Sequence, residues 1–127
     1  MKIEHLALWV EDLEMMKDFY CHYFNLSSGE KYHNPIKNFN SYFLSFESGA
    51  RIELMHKPGL LNHSEKNNLF GFTHIAISTG SKENVLHLTE TFRKAGIQII
   101  GEPRTTGDGY FESVILDPEG NSIELTI

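Results

Sequence analysis

The sequence has a single cysteine, Cys21, no long apolar run and no excess of positive charge. One cysteine cannot form a disulfide within the chain, which favours a reducing compartment. No apolar stretch approaches the roughly 20 residues of a membrane span, and the N-terminus lacks the pattern of a signal peptide. The 17 acidic residues outnumber the 11 basic ones, and no basic stripe is visible. We therefore expect a cytoplasmic protein that binds neither nucleic acid nor membrane.

Two sequence patterns occur twice along the 127 residues. His5-Leu-Ala-Leu returns as His74-Ile-Ala-Ile, and Gly49-Ala-Arg-Ile-Glu53-Leu returns as Gly120-Asn-Ser-Ile-Glu124-Leu. The histidines are 69 residues apart and the glutamates 71, so the halves stay aligned apart from a two-residue insertion. The length suits a single domain. We therefore predict one domain of duplicated modules, module one over 1–57, a polar linker over 58–70 and module two over 71–127.

Hydrophobic periodicity predicts the same element order in both modules. In the first, a helix capped by Asp12 and ending near Asn25 lies among four strands, predicted over 3–10, 29–35, 40–47 and 50–56. In the second, a helix that begins after Ser81 and ends at Gly96 lies among four strands, predicted over 72–78, 97–103, 110–116 and 121–126. Each module therefore reads βαβββ.

A four-stranded sheet with one helix covers only one of its two faces. The other face must pack against a second sheet, so we predict an α+β fold of two tandem βαβββ modules whose curved mixed sheets enclose a cavity. The two sheets can pair within one chain or by exchange between two chains. A homodimer is a common outcome for such a module.

Four repeated side chains lie on the sheet faces turned away from the helices. The two-residue period of a strand places His5 and Glu53 on this face of the first module, and His74 and Glu124 on that of the second. A carboxylate between core-facing aliphatic residues is costly to bury without a partner, and a cation is the simplest compensation. Two imidazoles and two carboxylates suit a divalent ion. We therefore predict a metal site inside the cavity, with these four residues as ligands.

Other polar residues are less indicative of a site. Arg51, Arg104 and Tyr110 could contact an anionic substrate or could equally be solvated or packed strand residues. Surface or packing roles are expected for the single cysteine and the five remaining histidines, which are His22, His33, His56, His63 and His87.

The whole chain resembles the vicinal oxygen chelate superfamily, which contains glyoxalase I, extradiol dioxygenases, fosfomycin-resistance thiol transferases, methylmalonyl-CoA epimerase and the bleomycin-resistance proteins. The resemblance is carried by the two His-Leu/Ile-Ala-Leu/Ile motifs, by Asp12-Leu13 with Phe19-Tyr20, and by the closing segment from Asp117 to Leu125. Within this superfamily, the ligand order His, Glu, His, Glu is similar to that of bacterial glyoxalase I.

This resemblance implies a lactoylglutathione lyase-like enzyme of methylglyoxal detoxification. Such an enzyme isomerises the hemithioacetal of methylglyoxal and a thiol to a lactoyl thioester, using one nickel, cobalt, manganese, iron or zinc ion as a Lewis acid. Glu124 would be the main base and Glu53 its counterpart, although these roles could be reversed.

Two departures from glyoxalase I concern the thiol. Trp9 stands where that enzyme usually has an arginine, and Met55-His56-Lys57 stands where it has an asparagine, so both glutathione contacts are absent. The alternatives are a related metalloenzyme, such as an epimerase or a thiol transferase, and a non-catalytic protein that binds a small molecule such as an antibiotic.

Overall fold

A computed structural model describes residues 2–61 and 70–127. The chain forms two compact units, residues 1–62 and residues 63–127. In its described part, each unit has one helix and one mixed sheet, which confirms the expected α+β fold of tandem modules. Within the described ranges, no helix is both long and apolar enough to span a bilayer.

The first unit contains one helix and five strands. The helix is α1 (Leu13–Phe24), and the strands are β1 (His5–Trp9), β2 (Ser27–Ser28), β3 (Tyr32–Asn34), β4 (Phe39–Ser45) and β5 (Arg51–His56). The sheet order is β1-β5-β4-β2, and β3 also pairs with β4. β1 runs parallel to β5, whereas all other pairs are antiparallel.

The second unit repeats this topology with four strands. Its helix is α2 (Lys82–Lys94), and the strands are β6 (Ile75–Ser78), β7 (Ile99–Thr105), β8 (Phe111–Leu116) and β9 (Ser122–Thr126). The sheet order is β6-β9-β8-β7, with β6 parallel to β9 and the other pairs antiparallel. The first and last strands of each unit are therefore neighbours in its sheet.

The expected helix starts are confirmed in both units. The Asp12 carboxylate accepts a hydrogen bond from the Met15 backbone N–H at 2.9 Å, and the Ser81 hydroxyl accepts one from Asn84 N–H at 3.2 Å. These bonds satisfy backbone donors that have no partner inside the helix. Each helix packs its apolar side against its own sheet, and the fully buried residues there include Met16, Tyr20, Leu44, Leu54, Val85, Phe92, Ile115 and Leu125.

The strand predicted over 29–35 is wrong in detail, because residues 29–31 lie outside any strand and separate the short strands β2 and β3. Ser28 pairs with Leu44 and Tyr32 pairs with Ser41. Three residues, 29–31, therefore face only two residues of β4, and this surplus interrupts the ladder as a bulge does. The remaining strands are found where expected to within a few residues, although β6 begins at Ile75, one residue after His74.

Glu14 joins helix α1 to its sheet. Its carboxylate accepts hydrogen bonds from Lys17 within the helix at 3.0 Å, from Lys31 at 2.8 Å, and from the Tyr42 hydroxyl on β4 at 3.1 Å. The Lys31 and Lys17 contacts lower the pKa of Glu14 to about 2. Because Lys31 lies in the interruption between β2 and β3, one carboxylate joins the helix, this interruption and the sheet.

We expect Glu14→Gln to destabilise the first unit at neutral pH and to have little effect in acid. A carboxylate whose pKa is lowered by folding stabilises the native state above its unfolded pKa, and this contribution is lost as the pH falls towards about 2. Since the side chain is half exposed, the expected loss is only about 0.5–1 kcal/mol. Urea unfolding at neutral and at acidic pH measures the free energy of unfolding of both proteins. The control is Glu83→Gln, which changes the first-turn glutamate of α2. An equal effect of both substitutions at neutral pH would contradict this role.

Candidate functional site

The two units place their repeated histidine and glutamate in the same relative position. Ala7 on β1 pairs with Glu53 on β5, and Ala76 on β6 pairs with Glu124 on β9. In both units the histidine lies two residues before that alanine, on the same side of the sheet. Each imidazole is therefore diagonal to its glutamate, with a small methyl side chain beside the carboxylate.

The first pair consists of His5 and Glu53, which the structure brings together as expected. His5 Nε2 lies 3.7 Å from Glu53 Oε2, and the Glu53 side chain is only 14% exposed. The other ring nitrogen, Nδ1, contacts Oε2 of Glu4 at 2.5 Å. Oε1 of Glu4 accepts from Arg51 Nε at 2.9 Å. The hydrogen bonds with His5 and Arg51 lower the pKa of Glu4.

Phe43 completes the surroundings of the first pair. Its ring meets the His5 imidazole edge-on with centroids 5.3 Å apart, and the Arg51 guanidinium lies 4.2 Å from the same ring centroid. Phe43 is the direct cross-strand neighbour of Glu53. The imidazole is thus held on one side by an aromatic ring and on another by a carboxylate.

The second pair consists of His74 and Glu124. His74 Nε2 lies 3.5 Å from Glu124 Oε2, with the Glu124 side chain 17% exposed. A second carboxylate, Glu112 on β8, is within hydrogen-bonding reach of Glu124 and is itself only 8% exposed. Arg104 on β7 donates from Nη2 to Glu112 Oε1 at 2.9 Å. This unit therefore brings two carboxylates, an imidazole and a guanidinium together.

The pKa of Glu124 is raised above its ordinary value. Burial is the largest cause, and the negative charge of Glu112 adds to it, whereas His74 and Arg104 act in the opposite direction. Burial disfavours the charged form because water is removed from around it. Glu124 is therefore a stronger base than a solvated glutamate.

Sequence reasoning missed Glu4, Glu112 and Gly101. A Cβ built on Gly101 would come within 2.8 Å of Arg104 Nη1, so the missing side chain makes room for the guanidinium that contacts Glu112. The register of β7 against β8 also shifts between Gly101 and Arg104. A signal for Glu112 was present, because it is the charged residue of the strand Phe111–Leu116, whose other residues are apolar apart from Ser113.

The remaining predicted residues lie outside these pairs or have other contacts. His56 Nδ1 bonds the Val10 carbonyl oxygen at 2.9 Å, and His33 Nδ1 contacts the Asn40 side chain at 2.9 Å. Burial raises the pKa of the Cys21 thiol, as expected for a packed cysteine. His22, His87 and Tyr110 are exposed, and His63 lies outside the described residues.

The donors of each pair fit a divalent cation. Two ligand atoms bound to one ion at about 2.1 Å lie about 3.0–3.4 Å apart for octahedral to tetrahedral angles, close to the separations found here. Within either unit, the described residues contain no group of three or more His, Cys, Asp or Glu side chains arranged to hold an ion. Each unit therefore presents two donors, and the convergence of both pairs on one ion stays a prediction.

Buried polar atoms on the same sheet faces are also unsatisfied. Among the described residues, Ser41 Oγ and Thr126 Oγ1 are buried without a hydrogen-bond partner. Ser41 lies on the face of the first sheet that carries Glu53, and Thr126 lies two residues after Glu124 on β9. Since buried polar groups are normally paired, each described unit has one buried hydroxyl on the face of its glutamate whose hydrogen-bonding capacity is unused.

Several solved structures share this fold. Glyoxalase I from Zea mays is 25% identical with a TM-score of 0.80, and the match covers 98% of this chain but 44% of the maize chain. The trypanothione-dependent glyoxalase I of Leishmania major is 24% identical with a TM-score of 0.79, covering 99% and 86% of the two chains. A glyoxylase/bleomycin resistance protein/dioxygenase domain from Frankia sp. EAN1pec is 16% identical with a TM-score of 0.86, covering 100% and 97%.

The chain spans less than half of the maize enzyme, and at these identities the solved structures support the fold rather than an activity. No curated protein matches the chain in sequence. A family model does match, over residues 2–125, which is nearly the whole chain and includes both histidine–glutamate pairs. The chain therefore belongs to the Glyoxalase/Bleomycin resistance protein/Dioxygenase superfamily.

Proposed function

We propose that this protein is a divalent-metal-dependent, glyoxalase I-like lyase. It would convert the hemithioacetal of methylglyoxal and a thiol into a lactoyl thioester, with His5, Glu53, His74 and Glu124 as metal ligands. The observation that carries the proposal is the repeated geometry, in which each unit sets one imidazole nitrogen 3.5–3.7 Å from one carboxylate oxygen in the same sheet register. Nickel, cobalt, manganese, iron and zinc all suit such nitrogen and oxygen donors.

The glutamates would move the proton. A bound divalent ion would supply Lewis-acid polarisation of the substrate oxygens, which makes the adjacent carbon-bound proton more acidic. Glu124 would take this proton and return it to the neighbouring carbon, with Glu53 as its counterpart. Burial and the charge of Glu112 raise the pKa of Glu124 in the metal-free protein, and they would oppose the lowering that a bound cation causes, which favours this glutamate as a general base.

The thiol carrier is proposed to differ from glutathione. Trp9 stands at the position expected for a glutathione-binding arginine, and the Lys57 ammonium lies 4.8 Å from its ring centroid. The guanidinium of Arg51, at the other end of the β1–β5 pair, is already engaged by Glu4. A relative that is named as trypanothione-dependent indicates that the carrier thiol varies within the family.

The functional form is proposed to be a cytoplasmic homodimer.

Metal binding is the first test of this proposal. Isothermal titration calorimetry should show that chelator-treated protein binds Ni²⁺, Co²⁺ or Zn²⁺. Alanine at any of the four ligands should weaken binding by more than the roughly 10- to 100-fold that loss of an outer-shell partner costs. His87→Ala removes an exposed imidazole on α2, and Glu102→Ala removes an exposed carboxylate on β7, so both serve as matched controls. Wild-type protein that binds no divalent ion would overturn the metal site and favour a non-catalytic binding protein.

The catalytic role of Glu124 has a separate test. We expect Glu124→Gln to lower kcat for methylglyoxal with the preferred thiol by about 10²- to 10⁴-fold, the usual contribution of a general base. The assay compares glutathione with other low-molecular-weight thiols and includes Glu53→Gln. A larger loss for Glu53→Gln would reverse the two roles, and full activity of both variants would exclude this proton transfer. Turnover that is best with glutathione would contradict the proposed carrier.

The environment of Glu124 predicts a pH-dependent stability of the chelator-treated protein. Because folding raises its pKa, the group stabilises the native state in acid, and that contribution is lost as the pH rises. Glu124→Gln should therefore raise the Tm at neutral pH, with the difference vanishing in acid. Glu102 has a lowered pKa from its contact with Arg93, so Glu102→Gln should have the opposite sign. A lower Tm for Glu124→Gln at neutral pH would contradict the stated electrostatics.

A further inference from the structure

Glu4 immediately precedes the first histidine ligand and joins it to an arginine on another strand. Its Oε2 lies 2.5 Å from His5 Nδ1, and its Oε1 accepts from both Nε and Nη2 of Arg51. The backbone is fixed at the same place, since Arg51 N–H donates to the Glu4 carbonyl oxygen at 3.0 Å. Both carboxylate oxygens are therefore used, one by the guanidinium and one by the imidazole.

These contacts determine which nitrogen of His5 carries the proton. The carboxylate of Glu4 is paired with the permanently charged Arg51, which donates two N–H groups to it, and an ionised carboxylate can only accept hydrogen bonds. Nδ1 must then be the donor, and in the neutral form of the imidazole the lone pair is on Nε2. Nε2 is the atom that faces Glu53 at 3.7 Å. A hydrogen bond at one ring nitrogen fixes the tautomer and the direction of the other.

We propose that Glu4, held by Arg51, is a positioning residue that keeps the His5 proton on Nδ1 and directs the Nε2 lone pair towards Glu53. Its effect on metal affinity rests on the proposed function, whereas its effect on the tautomer does not. Metal-binding histidines commonly donate their second ring N–H to a carboxylate, and removal of such a partner costs 10- to 100-fold in affinity. Here the carboxylate comes from the adjacent residue rather than from a distant element.

The arrangement is built around more than one hydrogen bond. Arg51 stacks on the Phe43 ring at 4.2 Å, and the His5 ring meets the same aromatic ring at 5.3 Å. Glu4 is 58% exposed, so a lone ion pair at this place would contribute little. However, two N–H groups of the Arg51 guanidinium bind one carboxylate oxygen of Glu4. This charge-assisted pairing fixes the direction in which the other oxygen meets His5.

The second unit offers an internal control. Thr73 occupies the position equivalent to Glu4, directly before His74, and has no carboxylate. Charge next to the second pair comes instead from Glu112, which contacts Glu124 rather than the imidazole. Among the described residues, a carboxylate in contact with a ring nitrogen from the directly preceding position is therefore found at the first histidine and not at the second.

The tautomer can be read directly by ¹⁵N NMR of chelator-treated protein, at a pH where the imidazoles are neutral. We expect His5 to be protonated on Nδ1 in the wild type, to shift towards Nε2 protonation in Glu4→Ala, and to stay on Nδ1 in Glu4→Gln, which keeps an acceptor oxygen. Thr73→Ala should leave both histidines unchanged. A wild-type His5 protonated on Nε2, or an unchanged tautomer in Glu4→Ala, would overturn the proposal.

Metal affinity provides the second measurement. We expect Glu4→Ala to weaken Co²⁺ binding about 10-fold, Glu4→Gln to restore most of it, and Thr73→Ala to have no effect. If the wild type binds no cation, the proposed function fails while the tautomer result still decides the role of Glu4. If the wild type binds Co²⁺ and Glu4→Ala changes neither tautomer nor affinity, the positioning role fails while the metal site stands.

Discussion

The structure depends on one repeated constraint, the parallel pairing of the first and last strands of each unit. This pairing joins two segments that are about fifty residues apart in sequence, and it sets Ala7 beside Glu53 and Ala76 beside Glu124. A one-residue slip would turn each glutamate into the helix-facing core and each buried aliphatic neighbour out of it. The buried leucines and isoleucines of β5 and β9 therefore fix the positions of the carboxylates. The hydrophobic core and the candidate site are specified by the same register.

The alanines matter for a related reason. A methyl group directly beside each glutamate leaves room for the diagonal imidazole to approach the carboxylate, as His5 and His74 do. A larger residue at this position would stand between the two donors, because neighbouring side chains on one sheet face are about 4.5–5.5 Å apart. Conversely, the diagonal geometry explains why an imidazole and a carboxylate two residues out of register can still meet.

The strand alternation and the repeat allowed much of this to be predicted from the sequence. The faces of His5, Glu53 and Glu124 follow from a two-residue period, and the helix starts follow from Asp12 and Ser81. The interruption between β2 and β3 could not be predicted, because it arises from a mismatch of three residues against two across strands that are distant in sequence. A single sequence gives no measure of that mismatch until the partner strand is known.

The roles of the three missed residues also depend on cross-strand partners. In the sequence, Glu4 is indistinguishable from a solvent-exposed glutamate, and only the pairing of β1 with β5 brings it to Arg51. Glu112 is explained only once Arg104 and Glu124 are seen on the strands to either side of it. The glycine at position 101 is explained by the close approach of Arg104, which leaves no room for a Cβ, and not by an unusual backbone angle. Local patterns therefore predicted which atoms could bind a cation, but not the neighbours that set their orientation and charge.

Those neighbours make the two repeated pairs chemically unequal. Both units place a Glu–Arg pair near the repeated donors, but the extra carboxylate acts on different atoms. In the first unit Glu4 contacts the imidazole, and the cross-strand neighbour of Glu53 is Phe43. In the second unit Glu112 lies beside Glu124, and burial together with this negative charge raises the pKa of Glu124. A carboxylate with a raised pKa is suited to accept a proton, and a fixed imidazole is suited to hold a cation. The duplication thus supplies the symmetry of the donors, and the surrounding charges distinguish the proposed base in the second unit from the proposed anchored ligand in the first.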